Sequence, residues 1–508
     1  MSSNKNYSAI PVNEDQPADS TSSVPKSRAK KHLITGVIVC IASAILISSG
    51  VALLSRGDKV APKRNVVMMI SDGFGPASET FARQYHQWRE DLAPKSVMLP
   101  LDEIHVGHSR TQSSSSLVTD SAAGATAFAC GLKSYNGAIG VTPTGEPCGT
   151  VLESAKHHRG MLTGLVVTSR ITHATPASFN AHVTFRDYEN DIAEQQIGHT
   201  PLGRSVDLMF GGGSCEFLSN ATEGSCRGDQ RDLFDEAKAD FGWTVKRTRQ
   251  EFDAIRPEDP SLPLMAIFTP QEMTAKALSI LSKASKDSDT GFFLMIEGSR
   301  IDMAAHSNDP ATHVHEILEY QQTAELVKAF VRNNPDTVMI STSDHETGGL
   351  TVGRQVGEDY PEYKWNPEVI SQVRNSSEVL AGMWNKATES KTATEEYLKT
   401  VIIGDGLGVV DPTSDEIKRV MEWDPTKKTV EVLITYLSDI VSRRALIGVI
   451  LRGSHENTEI GDFIVDYLGL DLKDITNRLT SNSGISSFAK PLDEDYASKI
   501  SHHQRHHD

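Results

Sequence analysis

The sequence predicts an α/β fold with a central, largely parallel sheet and helices on both faces. Short apolar runs of strand length alternate with stretches of helical spacing, the βαβ pattern of a parallel sheet. Three of these runs also end in acids. Val66-Val67-Met68-Met69-Ile70 leads into Asp72, Phe292-Phe293-Leu294-Met295-Ile296 into Glu297, and Val338-Met339-Ile340-Ser341-Thr342 into Asp344 and His345. In open α/β sheets the ligand site lies at the carboxyl ends of the strands. Three acids gathered there repel one another unless cations sit between them.

Taken in order, residues 1–32 are polar and rich in Ser, Asn and Pro, the composition of a disordered tail. Within them Tyr7-Ser8-Ala9-Ile10 has the form of a tyrosine sorting signal. Residues 33–54 are uncharged and mostly apolar. As a helix they span roughly 33 Å, enough for a bilayer core. A cleaved signal peptide fits less well, because a long tail precedes the stretch and it exceeds a usual signal core. Lys26, Arg28, Lys30 and Lys31 lie before it, and Arg56, Lys59, Lys63 and Arg64 after it, so charge leaves the orientation nearly tied. Two sequons, Asn220-Ala221-Thr222 and Asn375-Ser376-Ser377, break the tie. So do Cys130, Cys148, Cys215 and Cys226, two sequence-local pairs suited to disulfides in an oxidising lumen. Cys40 lies within the anchor. The reading is a single-pass type II protein, tail in the cytosol and body in the lumen.

Residues 55–63 form a linker and 64–480 the lumenal domain. Leu162-Thr163-Gly164-Leu165-Val166-Val167 is a further strand, followed by a loop holding His173 and Thr175. Residues 269–284 have helical spacing, with Met273, Ala277, Ile280 and Leu281 on one face. Residues 350–435 are more polar, with irregular helices, and are expected to cap the site. Residues 481–508 make a flexible C-terminal tail ending in a His-rich tract, far from the chemistry. The formal net charge is −17, which argues against a nucleic-acid-binding surface.

The chemistry centres on Ser121, in Val118-Thr119-Asp120-Ser121-Ala122-Ala123-Gly124-Ala125-Thr126. A serine hydroxyl needs a base or a cation to attack at neutral pH. No histidine lies near it in sequence, so a metal is the better candidate. The small neighbours allow close approach, and a helix N-terminus following Ser121 would suit a phosphate. Asp302 and His306 are spaced i, i+4 and share one helical face, a pair suited to zinc. Asp344-His345 sits at a strand end, before Gly348-Gly349, which lets the chain turn tightly.

The stretch around Ser121 resembles the active-site signature of the alkaline phosphatases. Asp72-Gly73-Phe74-Gly75, the run from Glu297 to His306, and Asp344-His345-Glu346-Thr347-Gly348-Gly349 match that family's metal motifs in order. The resemblance covers roughly residues 64–470. With the anchor, the chain looks most like the vacuolar, repressible members of the family in fungi. The resemblance implies an alkaline-phosphatase-like fold, a homodimer, and a vacuole-membrane location. It implies two zinc ions and one magnesium ion. One zinc would be held by Asp72, Asp344 and His345 and would activate Ser121. The second would use Asp302 and His306. Magnesium, which prefers oxygen ligands, would sit on Asp72, Thr175 and Glu297. His173 would lie beside the third metal without ligating it. Arg186, in Asn180-Ala181-His182-Val183-Thr184-Phe185-Arg186-Asp187, would grip phosphate through its planar fork.

One departure matters. Family members carry a further histidine near the C-terminus, in a Gly-His-Thr or Gly-His-Ser context, that completes the second zinc site. Here the only histidine between Glu346 and Ser501 is His455, in a segment resembling a later, helical part of the pattern. The chain runs from Gly448 to Val449 as though the intervening segment were deleted. The expected function is metal-dependent hydrolysis of small phosphate monoesters through a phosphoserine intermediate, over a broad substrate range. The alternative is a catalytically weak or inactive relative that binds zinc or a partner in the lumen.

Overall fold

A computed structural model describes residues 63–267, 272–354, 363–448, 465 and 468–481. The expected tail, membrane span, most of the linker and the C-terminal tail lie outside the described residues. Among the described residues no helix is long and apolar enough to cross a membrane.

Among the described residues seven strands form one sheet: β1 (Asn65–Ser71), β2 (Leu162–Arg170), β3 (Leu208–Gly212), β4 (Thr244–Lys246), β5 (Leu264–Ile267), β6 (Phe292–Gly298) and β7 (Thr337–Thr342). Their order is β4-β5-β3-β2-β6-β1-β7, and every pairing is parallel. Such a sheet must be covered on both faces, so its strands read as continuous apolar runs. Alternate side chains serve the two faces. Val67 and Met69 of β1 join one core with Phe292, Leu294 and Ile296 of β6. Val66, Met68 and Ile70 join the other with Phe293 and Met295.

The helices that position the site are α1 (Pro76–Arg89), α2 (Ser121–Cys130), α3 (Val151–Arg159), α4 (Ala174–Ala177), α5 (Met273–Ala284), α6 (Arg300–His306), α7 (Pro310–Asn333), α8 (Ser377–Glu389) and α9 (Val430–Ala445). Helix α5 begins at Met273, inside the expected 269–284. Phe81 and Tyr85 of α1, Ile280 of α5 and Ile317 of α7 pack on the first face. Phe128 of α2 and Leu152 of α3 pack on the second.

Within 350–435 the chain forms α8, a shorter helix Pro367–Gln372 and a π-helical turn over Leu398–Gly406. Thr351–Val352 pairs antiparallel with Ile447–Gly448, bracketing this helical excursion. Its apolar residues, among them Leu380, Trp384, Leu433 and Leu437, extend the first core. It also grips the loop after α6. The Ser438 hydroxyl donates to the Ser307 carbonyl at 2.7 Å, and the Ser377 N–H donates to Asp309 Oδ2 at 2.7 Å.

Two disulfides close the expected local pairs, Cys130–Cys148 and Cys215–Cys226. Both sequon asparagines, Asn220 and Asn375, are exposed.

Candidate active site

The carboxyl ends of β6, β1 and β7 lie side by side, with β7 at the edge of the sheet, so the acids that follow them meet. Asp72 and Asp344 are fully buried and Glu297 nearly so. Each shows the same division between its two oxygens. Asp72 Oδ1 accepts from the Ser121 hydroxyl at 3.3 Å. Asp344 Oδ1 accepts from the N–H groups of Gly73 (3.2 Å) and His345 (3.0 Å). Glu297 Oε2 accepts from the hydroxyls of Ser299 (2.5 Å) and Ser169 (3.5 Å). The other oxygens, Asp72 Oδ2, Asp344 Oδ2 and Glu297 Oε1, are buried with no hydrogen-bond partner. Buried polar atoms are ordinarily paired. Three bare carboxylate oxygens at one place fit divalent cations.

Ligand geometry agrees. One atom from each of Asp72, Asp344 and His345 lies within 4.8 Å of the others, and so does one from each of Asp72, His173 and Glu297. His345 Nε2 is 3.4 Å from Asp72 Oδ1 and 3.6 Å from Asp344 Oδ2. Two carboxylates and an imidazole suit zinc, whereas an oxygen-rich group around Glu297 suits magnesium. Thr175, on α4, has its buried hydroxyl near enough to Glu297 to favour the charged form, yet it makes no hydrogen bond of good geometry.

The electrostatics carry the same message. Burial, then the charges of Asp344, Asp302 and Glu297, push Asp72 well above the usual carboxylate range. Burial lifts Asp344 as well and pushes Glu297 up to about 7. Burial also opposes ionisation of Asp302, but His306, His345 and Thr347 outweigh it and hold that carboxyl well below its usual range. A cation among these groups would relieve the repulsion.

Ser121 is the first residue of α2 and is buried. Its Oγ lies 3.2 Å from His345 Nε2, so the candidate nucleophile touches two of the candidate ligands. Asp120 caps the helix by accepting from the Ala123 N–H at 2.9 Å. Small residues let α2 sink fully into the core. A Cβ on Gly124 would lie 3.1 Å from the Asp344 Cβ, so this helix packs directly against the loop of Asp344. Gly73 is constrained further. It has φ +67°, and a Cβ there would fall 2.1 Å from Thr347 Oγ1 and 2.3 Å from Asp302 Oδ1.

Asp302 and His306 share one face of α6, with His306 Nε2 3.3 Å from Asp302 Oδ2. Among the described residues no third His, Cys, Asp or Glu forms a cluster with this pair. The segment of His455 lies outside the described residues.

Arg186 Nη1 donates to Asp120 Oδ2 at 3.2 Å, and Nη2 lies 3.1 Å from His173 Nε2. A guanidinium only donates, so His173 Nε2 accepts and Nδ1 carries the hydrogen. Burial and the charges of Arg186 and Arg170 hold His173 well below the usual range, hence neutral. In this geometry His173 orients Arg186 beside the Glu297 group.

The structure therefore brings together every residue expected at the site: Asp72, Ser121, Thr175, Arg186, Glu297, Asp302, His306, Asp344 and His345. Sequence reasoning missed the supporting partners. The Thr347 hydroxyl donates to Asp302 Oδ1, Ser169 and Ser299 hold Glu297, and Asp120 holds Arg186. Of these only Asp120 carried a local signal, as a helix-capping residue before a small-residue run.

Comparison with known proteins agrees with this geometry. The family model described as alkaline phosphatase matches residues 63–468. The chain is 44% identical to the alkaline phosphatase of Schizosaccharomyces pombe, over 84% of this chain and 85% of that one. It is 40% identical to the repressible alkaline phosphatase of Saccharomyces cerevisiae, over 97% of each. Among solved structures, the cold-active alkaline phosphatase from Shewanella sp. superposes with a TM-score of 0.64 at 27% identity, over 80% of this chain and 99% of that one. The chain belongs to the alkaline phosphatase family, metal-dependent enzymes that hydrolyse phosphate monoesters.

Proposed function

We propose that the chain hydrolyses phosphate monoesters through a phosphoserine intermediate on Ser121. The observation that carries this is the Ser121 hydroxyl standing at the start of α2, against Asp72 and His345, where bare carboxylate oxygens converge. Asp72, Asp344 and His345 would hold one zinc, Asp302 and His306 a second, and Asp72, Thr175 and Glu297 a magnesium. When bound, these ions supply the positive charge that favours the serine alkoxide and an activated water.

The steps belong to the chain's own residues. Arg186 donates two parallel hydrogen bonds to phosphate oxygens, which fixes the phosphorus in front of Ser121. The Ser121 oxygen forms a bond to phosphorus as the bond to the alcohol oxygen breaks, and the serine proton leaves with the alcohol. Water then attacks the phosphoserine, regenerating the hydroxyl and releasing inorganic phosphate. The N-terminus of α2 favours the negative charge throughout. None of these groups reads the alcohol, so the substrate range is broad.

Ser121→Ala should abolish acid-stable labelling by radioactive phosphate while the fold persists. Label on the mutant at any other residue would falsify the assignment of the nucleophile.

The second reading, a catalytically weak zinc- or partner-binding relative, is favoured by one observation. Asp302 and His306 stand as a pair without a clustered third ligand among the described residues.

Residues 33–54 are read as a type II anchor in the vacuole membrane, with the body in the lumen. The 40% identity to the yeast repressible enzyme across 97% of both chains and the two disulfides support this. The full chain should resist alkaline carbonate extraction, and a chain starting at residue 55 should not. Equal release of both would remove the anchor. A homodimer should sediment at twice the monomer mass, and a monomer mass would exclude it.

A further inference from the structure

Four residues before Arg186 lies a histidine that no step above uses. The side chains of His182 and its partner Glu153 are both fully buried. His182 Nδ1 is 2.7 Å from the Gly140 carbonyl oxygen, and Nε2 is 2.9 Å from Glu153 Oε1. A carbonyl only accepts, so Nδ1 carries a hydrogen. Glu153 Oε2 is already taken by the Thr150 N–H at 3.0 Å, at the start of α3. One proton is therefore held between Nε2 and Oε1, and the pair is neutral overall whichever atom carries it.

The backbone around His182 is held as firmly. Its N–H donates to Gln195 Oε1 at 2.6 Å, and its carbonyl accepts from Gln195 Nε2 at 3.2 Å. Val183 forms an antiparallel bridge with Ile139. The Tyr135 hydroxyl donates to the Thr184 carbonyl at 2.9 Å. The chain then delivers Arg186 to Asp120 and His173. A buried His–Glu pair is a weak device for stability alone, since apolar residues of the same volume often serve as well or better. Its place suits another purpose: it ties the segment bearing Arg186 to the first turn of α3, whose Val151, Leu152 and Ala155 pack in the core on the sheet's second face.

We propose that His182, through Glu153, is a positioning residue for Arg186. It holds residues 180–186 so that the guanidinium fork faces the phosphate. The inference rests on Arg186 being the phosphate grip.

The test is a double-mutant cycle on full-length, metal-loaded enzyme. Its readout is the inhibition constant for inorganic phosphate, with a thermal melt to verify folding. Displacing a positioning group by about 1 Å can cost ~100-fold, so His182→Ala should weaken phosphate ~10-fold or more. In an Arg186→Ala background the same change should alter it less than about twofold, because residues acting through one group are not additive. Glu153→Gln, which keeps a hydrogen-bonding partner for His182, should stay within about twofold of the parent. If His182→Ala does not fold, Glu153→Ala decides, since it cuts the tie without stranding a buried charge. Equal losses with and without Arg186, or unchanged phosphate binding in a folded His182→Ala or Glu153→Ala protein, would overturn the proposal. If Arg186→Ala leaves phosphate binding unchanged, the phosphate-grip reading itself fails, which the single mutant reports separately.

Discussion

Glu79 shows how one half-buried acid away from the site sets a pH dependence. It lies on α1, where Gln321 Nε2 donates to both carboxylate oxygens, at 3.3 and 3.1 Å. Burial and the neighbouring Asp102 push its carboxyl up from 4.5 to about 7, against the pull of Arg83. The folded protein thus keeps a proton that the unfolded chain has already lost. This contribution to stability is full below about pH 4.5 and is lost as pH rises through about 7. Glu79→Gln should therefore raise the unfolding midpoint at pH 8 by ~1–3 °C and leave it nearly unchanged at pH 5. An equal shift at both values would mean that Glu79 ionises freely. Residues at the catalytic centre differ in how far the sequence betrays them. Asp72, Glu297 and Asp344 could be read because an apolar strand points at each, and Asp302 with His306 because helical spacing pairs them. Arg186 and Thr175 have no local signal and emerged only through family resemblance. Thr347 is less legible still: its hydroxyl meets Asp302 across 45 residues of chain, a contact made by the fold alone.

At the scale of elements, α2 carries Ser121 at its first residue and Cys130 at its last. Gly131 ends the helix in a left-handed conformation, and Cys148 anchors that end. The disulfide closes a short loop between α2 and α3, so its loss acts largely on the unfolded chain. Replacing both cysteines by serine should lower unfolding stability by ~2–4 kcal/mol, read by urea denaturation of a chain starting at residue 55. An unchanged midpoint would show that the helix end is held by packing alone. The sequence displayed the two cysteine pairs because each closes locally, over separations of 18 and 11 residues. The strand order was hidden for the opposite reason. β1 lies between β6 and β7, more than 200 residues away, and apolar runs buried on both faces carry no mark of their neighbours. The π-helical turn at Leu398–Gly406 was equally hidden, because its altered hydrogen bonding answers to packing rather than to a sequence period.

Across the whole molecule, the proposed metal sites are of unequal completeness and share one cluster of charge. The group of Asp72, Asp344 and His345 offers three ligands within 4.8 Å. Asp302 and His306 offer two, whereas zinc normally takes three or four protein ligands. Even the loss of a partner outside the ligand shell costs ~10–100-fold in affinity, so the absence of a ligand should cost at least as much. On dialysis against a weak chelator the zinc proposed at Asp302 and His306 should leave first, seen as one ion per chain lost by elemental analysis before the others. Activity should fall with it and climb again with zinc added well above stoichiometry. Inserting a Gly-His-Thr segment between Gly448 and Val449 should keep that ion through dialysis. His455→Ala should leave the metal count unchanged, because its sequence context matches a helical part of the family pattern rather than the ligand segment. Removal of one zinc per chain by His455→Ala, with the fold intact, would make His455 the third ligand and complete the second site. Full activity after exhaustive chelation, with no metal detected, would remove the metal cluster from the mechanism altogether.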